Sequence, residues 1–170
     1  MTDAQEMWID TITSVVTRPK FNEKIGDMNY VLGNMIAKYV SSSKHYRITE
    51  GALEYIQSIG LDTSVSIHIA KHIYGKNKNT ILEHIIPVSI IKKAIIQNRT
   101  DTGAVNNILL NAGFVIIATR AEDDLLSKAK LAQKMPANWT GFDDRAEKRY
   151  EAVNIKISNT LIEHVGPICR

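Results

Sequence analysis

The sequence predicts a mainly α-helical domain carrying a small two-stranded β element. Three observations predict it. Apolar residues recur at helical spacing through most of the first 75 positions. Good cap residues bound the helical stretches: Thr49, Asp101 and Thr119 precede them, and Gly60 and Gly113 follow. Only two short runs, near residues 80–85 and 114–118, read as strands.

The first helix runs from Asp3 to about Thr17 on Trp8, Ile12, Val15 and Val16, and Arg18–Pro19 stops it. After a loop with Phe21 and Asn22, Asp27 to Val40 forms the cleanest amphipathic helix, through Met28, Val31, Leu32, Met35, Ile36 and Tyr39. Ser41–Ser42–Ser43 marks a loop, and Thr49 caps a helix over Ala52, Leu53, Ile56 and Ile59. Asp62 or Thr63 starts a fourth helical segment through Val65, Ile69 and Ile73, and a polar turn occupies 76–79. Thr80 to Ile85 reads as a strand because Pro87 pushes Ile86 towards extended backbone. Pro87 then opens a helix to about Asn98, and Asp101 opens another over Val105, Ile108 and Leu109. Phe114 to Ala118 is a buried strand, and Thr119 with Glu122 forms a capping-box start for the next helix. An irregular segment fills 135–144, Ala146 to Val153 is helical, and Ser158 or Asn159 caps a last helix ending near Gly166–Pro167.

With 170 residues and 44% apolar content, the chain is one domain with a real core: a helical half over 1–75 and a second half over 76–170 that carries the candidate chemistry. No apolar run approaches the ~20 residues of a membrane span. The polar, acidic start MTDAQEMWID lacks the features of a secretory leader, so a cytoplasmic protein is expected. The single cysteine, Cys169, fits a reducing compartment and excludes cysteine-based zinc sites. A net charge of +3 permits nucleic-acid binding without arguing for it, and 6% aromatics speaks against a base-stacking platform. No Gly-rich phosphate loop or GxSxG elbow occurs.

The chemistry concentrates in TILEHIIPVSIIKKAIIQ, residues 80–97, where Glu83–His84 interrupts the most apolar run of the chain. A near-neutral imidazole can take a proton from water, and a neighbouring carboxylate can hold a divalent cation. The alternative is a structural histidine bonded to backbone beside a solvated glutamate. Glu122–Asp123–Asp124 opens a helix, where acids are stabilising for dipole reasons alone. The functional reading makes one of them a Mg²⁺ ligand. His68 and His72 share a helical face, but Ile69 stands where a zinc protease would have glutamate. Lys71, Lys76, Lys78, Lys92, Lys93 and Arg99 bracket Glu83–His84, either as phosphate contacts or as a solvated face. Arg145, Lys148 and Arg149 form a second basic cluster.

A strand ending in acid–His, a second apolar strand and then a helix carrying acids is the order of the ββα-metal nuclease site. LEHIIPVS at 82–89 resembles the HNH endonuclease motif, and the stretch 114–150 is similar to the tail of small HNH-type proteins. The resemblance implies a metal-dependent DNA endonuclease, with a restriction or phage-defence setting. It makes His84 the general base, Glu83 a metal ligand, and Asp123 or Asp124 the completing ligand of a Mg²⁺ or Mn²⁺ ion. It makes Lys76, Lys78, Lys92, Lys93 and Arg99 contacts to DNA. Glu83 stands where the family usually has aspartate, and the thirty-residue connection between the strands is longer than usual. Cleavage of both strands would want a homodimer. The competing expectation is a non-catalytic helical protein that binds or regulates another protein, with the acid–His pair as a core feature.

Overall fold

The computed structural model describes residues 1–18, 20–21, 25–73, 75 and 78–164. Its elements in chain order are α1 (Asp3–Val16), α2 (Ile25–Ser41), β1 (His45–Thr49), α3 (Glu50–Ser58), α4 (Ile69–His72), β2 (Thr80–His84), α5 (Val88–Gln97), α6 (Thr102–Ala112), β3 (Val115–Thr119), α7 (Arg120–Lys128), α8 (Lys148–Glu151) and β4 (Ile157–Glu163).

The fold is α+β, which corrects the expectation of a helical domain with a two-stranded element. Four strands form one mixed sheet in the order β2-β3-β1-β4. β1 and β3 are parallel, and each is flanked on its outer side by an antiparallel edge strand. The expected strands are β2 and β3. The unexpected ones are β1, which comes from the helical half and lies at the sheet centre, and β4, where the sequence pattern suggested a helix. β1 alternates buried Tyr46 and Ile48 with His45 and Arg47, a period-2 signal only five residues long. In β4 the register slips: Ile48 faces Ser158 but Arg47 faces Leu161, so Asn159 and Thr160 bulge out and the alternation is broken. The helix expected over 62–75 shrinks to α4, because Ile67 bridges to His164 beside the edge of β4. The loop marked by Asn22, the expected end near Gly166–Pro167 and Cys169 lie outside the described residues.

The helices supply one layer. α1 packs against α2 and α6, and α5 packs against α2 and α6. Leu32, Ile36, Ile91, Ile95, Val105 and Leu109 are buried between them, and the Tyr39 hydroxyl donates to the Leu109 carbonyl at 2.8 Å. α3 packs on β1, β3 and β4, and α7 packs on β3. Both follow their parallel strand without a loop, since Thr49 and Thr119 end the strand and cap the helix at once. Gly60 terminates the α3 segment at φ 77°, a conformation glycine adopts without a Cβ penalty.

The sheet register sets up the site. Glu83, Ile116, Arg47 and Leu161 form one row across the four strands, so their side chains share a face. That face meets α8. Arg47 pairs with Glu147 at the start of α8, and Glu83 pairs with Arg149 two residues on. α8 is thus fastened to two strands by ion pairs of opposite polarity.

Candidate functional site

Arg149 is the centre of the site and is the one charged side chain that is fully buried among the described residues. A buried guanidinium is tolerated only when its donors are met, and here they are. Nε donates to Leu131 O at 2.8 Å and Nη1 to His84 O at 2.8 Å. Nη2 donates to Ala132 O at 3.0 Å and to Glu83 Oε2 at 3.2 Å. One side chain therefore ties the end of β2 to the 131–132 loop and to α8.

Glu83 is half-buried on that face. Burial pushes its carboxyl up from the ordinary value, the Arg149 charge opposes this, and the nearby charge of Asp123 pushes it further up. The chain order explains the meeting. β2 runs antiparallel to β3, and α7 follows β3 directly, with Asp123 in its first turn close enough for its charge to act on Glu83. Asp123 is half-buried and makes no hydrogen bond or ion pair with the described residues.

The three adjacent acids thus have three different fates. Glu122 Oε2 accepts from Thr119 N at 2.7 Å, Thr119 Oγ1 at 2.9 Å and Thr49 Oγ1 at 2.7 Å, so one carboxylate braces the N-termini of both α7 and α3. Gly51 permits this: a Cβ there would lie 3.0 Å from Glu122 Oε1. Asp123 acts on Glu83 through its charge. Asp124 is exposed.

His84 is placed differently from Glu83. Alternation along β2 turns its ring to the opposite face, and its Nε2 is buried with no partner. Burial, with the Arg149 charge second, lowers its pKa to about 4. The charge of Asp123 acts on Glu83, and the His84 ring lies on the other side of the strand.

The basic residues also separate. Lys78 precedes Thr80, which pairs with Thr119 at the end of the sheet remote from His84, roughly 13 Å along the strand. Its carbonyl accepts from Arg120 Nε at 2.6 Å. Arg99 lies beyond the C-terminus of α5, with Nη1 donating to Ile96 O at 2.8 Å. Lys92 and Lys93 share a helical face with Ser89, whose hydroxyl reaches Gln133 Oε1 at 3.2 Å. They therefore neighbour the loop that holds Arg149, where Lys128, Lys130 and Lys134 are exposed. Lys76 lies outside the described residues. His68, one of the two spaced histidines, serves as N-cap of α4, its Nδ1 accepting from Lys71 N at 3.3 Å.

Tyr150 was not legible as a site residue. It is fully buried, and its hydroxyl has no hydrogen-bond partner. Burial raises its pKa; Arg149 opposes this, and the charges of Glu83, Asp123 and Glu122 add to it. A cleft of about 550 Å³ lies beside β4 and is lined by Arg47, Arg145, Lys156, Glu50, Glu147 and Glu151. Its cations are already paired, as Arg47–Glu147, Arg145–Glu151 and Lys156–Glu50.

Among the described residues no group of three or more His, Cys, Asp or Glu side chains is gathered to hold a metal ion. Glu83 and Asp123 offer two carboxylates, and Glu83 Oε1 accepts no hydrogen bond from the described residues. Two carboxylates with water completing the shell suit Mg²⁺, which dehydrates reluctantly. Glu83 is paired with Arg149 and also feels the charge of Asp123. Comparison with protein-family models, with curated proteins and with solved structures finds no match.

Proposed function

We propose that this protein is a metal-dependent endonuclease that hydrolyses DNA phosphodiester bonds, with its divalent cation, Mg²⁺ or Mn²⁺, held by Glu83 and Asp123. What supports this reading is the antiparallel β2–β3 pair leading directly into α7, with the charge of Asp123 acting on Glu83. A cation held there supplies Lewis acidity towards a phosphodiester oxygen and the attacking water. Arg149 fixes the Glu83 carboxylate and the end of β2, so the ligand geometry is set before substrate arrives. Lys92, Lys93, Lys128, Lys130 and Lys134 flank the same loop and provide phosphate contacts. The HNH resemblance makes His84 the base, but its ring lies on the opposite face of β2 with Nε2 buried, so that role requires the end of β2 to rearrange.

The test is nicking of supercoiled plasmid with Mg²⁺ or Mn²⁺, comparing wild type, Glu83→Gln, Asp123→Asn and His84→Ala. Metal-dependent nicking should fall by at least about 10²-fold in the two carboxylate variants. Loss in His84→Ala with the fold intact assigns the base, whereas retained nicking removes His84 from the chemistry. Cleavage that persists without Glu83 and Asp123 sinks the proposal. Absence of both cleavage and DNA binding in the wild type would favour the non-catalytic interaction protein.

A further inference from the structure

On the sheet face that carries Arg47, two apolar side chains stand out in solvent. Leu161 lies opposite Arg47 in the β1–β4 register and is 54% exposed. Phe114 lies two residues before Ile116, the β3 partner of Arg47, and is 46% exposed, with the Arg47 guanidinium 6.0 Å from its ring centre. The cleft of about 550 Å³ opens beside them, with Arg47 in its wall. Knob and hollow thus belong to one patch, and the charges around it are balanced. Arg47, Arg145 and Lys156 stand against Glu50, Glu147 and Glu151, although the chain as a whole carries +3. Two of the three ion pairs are loose. Arg145–Glu151 and Lys156–Glu50 are exposed at both ends, and the second pair stands 3.9 Å apart, too far for a hydrogen bond. Exposed pairs of this kind contribute little to stability, so their members can change partners.

The charge balance selects the occupant. A polyanion such as nucleic acid would meet three carboxylates in this cleft. A second copy of the same chain would not be repelled, because an isologous contact sets the patch against itself, and that is favourable only where acids and bases balance. Strand pairing between copies is disfavoured, since the Asn159–Thr160 bulge interrupts the edge of β4. We propose that two copies of this chain dock face to face about a two-fold axis, Leu161 of each entering the cleft of the other, with the acids of one patch opposite the bases of its partner. Phe114 packs at the margin of the same contact. This inference stands apart from the nuclease reading and does not depend on it.

The experiment is sedimentation velocity on the full chain at low salt, over about 1 to 100 µM, the range in which a modest interface associates. The wild type should pass from monomer to dimer as concentration rises. Leu161→Asp should weaken the dimer at least about tenfold, because it removes the central apolar anchor. Lys156→Glu and Glu50→Lys test the charge pattern at exposed positions where folding is not at stake. Lys156→Glu leaves the patch with two bases and four acids, and Glu50→Lys with four bases and two acids. Each alone should associate more weakly than the wild type, and an equal mixture of the two should associate more tightly than either alone. A fold that changes partner charge in this way has no other reason to prefer the mixture. If Leu161→Asp does not fold, the two charge variants and their mixture decide the matter. A wild type that stays monomeric throughout overturns the proposal and leaves the patch to a different partner. A dimer that none of the variants alters also overturns it, since the contact would then lie elsewhere on the molecule. A mixture no tighter than its components removes the two-fold charge pairing on which the assignment of a second copy rests.

Discussion

The same dipeptide closes both edge strands. Glu83–His84 ends β2 and Glu163–His164 ends β4, and the two strands run in the same direction on opposite sides of the sheet. Their surroundings differ. Glu83 meets a guanidinium that is 0% exposed, and burial pushes its carboxyl up. Glu163 meets the exposed Lys44 ammonium at 2.6 Å, and hydrogen bonds from Lys44 and then Ser66 hold its carboxyl down. Each ring has one buried nitrogen without a partner, His84 Nε2 and His164 Nδ1, but His164 Nε2 lies 2.9 Å from Ser43 O and its ring packs on Tyr46 at 4.7 Å. An acid–His pair is therefore not a chemical unit by itself. On β4 the solvated lysine makes it a surface staple. On β2 it is tied to a buried arginine, and the charge of a second acid acts against it.

The largest effect should come from removing the partner that distinguishes the two ends. Arg149→Met keeps the aliphatic stem but leaves the carbonyls of His84, Leu131 and Ala132 and the Glu83 carboxylate without their donor. Breaking a buried pair in this way costs about 3–5 kcal/mol. Urea denaturation should show this loss directly. A cost under about 1 kcal/mol would mean that Arg149 is not the tie between β2 and α8.

The next effect is pH-dependent. Burial lowers His84 from 6.5 to about 4, so the folded state favours the neutral ring. The linked stability is fully present above the unfolded pKa and is lost as pH falls from about 6.5 through about 4, by about 3 kcal/mol in total. His84→Leu should remove this step from a plot of unfolding free energy against pH. A step of unchanged size in the variant would assign it to another group.

Much of the helical frame was readable, because caps and 3.6-residue spacing are local. Thr49, Asp101 and Thr119 each cap the helix expected of them, and the Thr119–Glu122 box is complete. β2 and β3 were readable from Pro87 and from a run of β-branched residues. β1 and β4 were not: β1 is short and half polar, and the Asn159–Thr160 bulge hides the period of β4. In the site, Glu83 and Asp123 stood out as acids in a strand–strand–helix order, but nothing local separates Asp123 from Asp124 or turns His84 away from Glu83. Arg149 and Tyr150 were hidden because RAEKRY reads as a basic surface run. Only packing against an end of β2 sixty-six residues earlier in the chain selects one arginine for burial.

The smallest effect is the most direct test of the comparison, because it predicts opposite signs for one substitution at two sites. Glu83 has a raised folded pKa, so wild-type stability falls as pH rises from the ordinary carboxyl value of 4.5 through the raised one. Glu83→Gln removes that fall while keeping an oxygen for Arg149 Nη2. The variant should gain on the wild type as pH rises towards neutrality. Glu163 has a lowered folded pKa, so its contribution is present above 4.5 and fades as pH falls through the lowered value. Glu163→Gln should therefore lose ground to the wild type as pH rises, by a small amount that salt erases, since its partner lysine is exposed. Thermal midpoints of the three proteins between pH 3 and pH 8, at low and high salt, give both difference curves. Curves of the same sign would mean that Glu83 is held as an ordinary surface carboxylate. The action of the Asp123 charge on Glu83, and with it the case for a cation there, would then disappear.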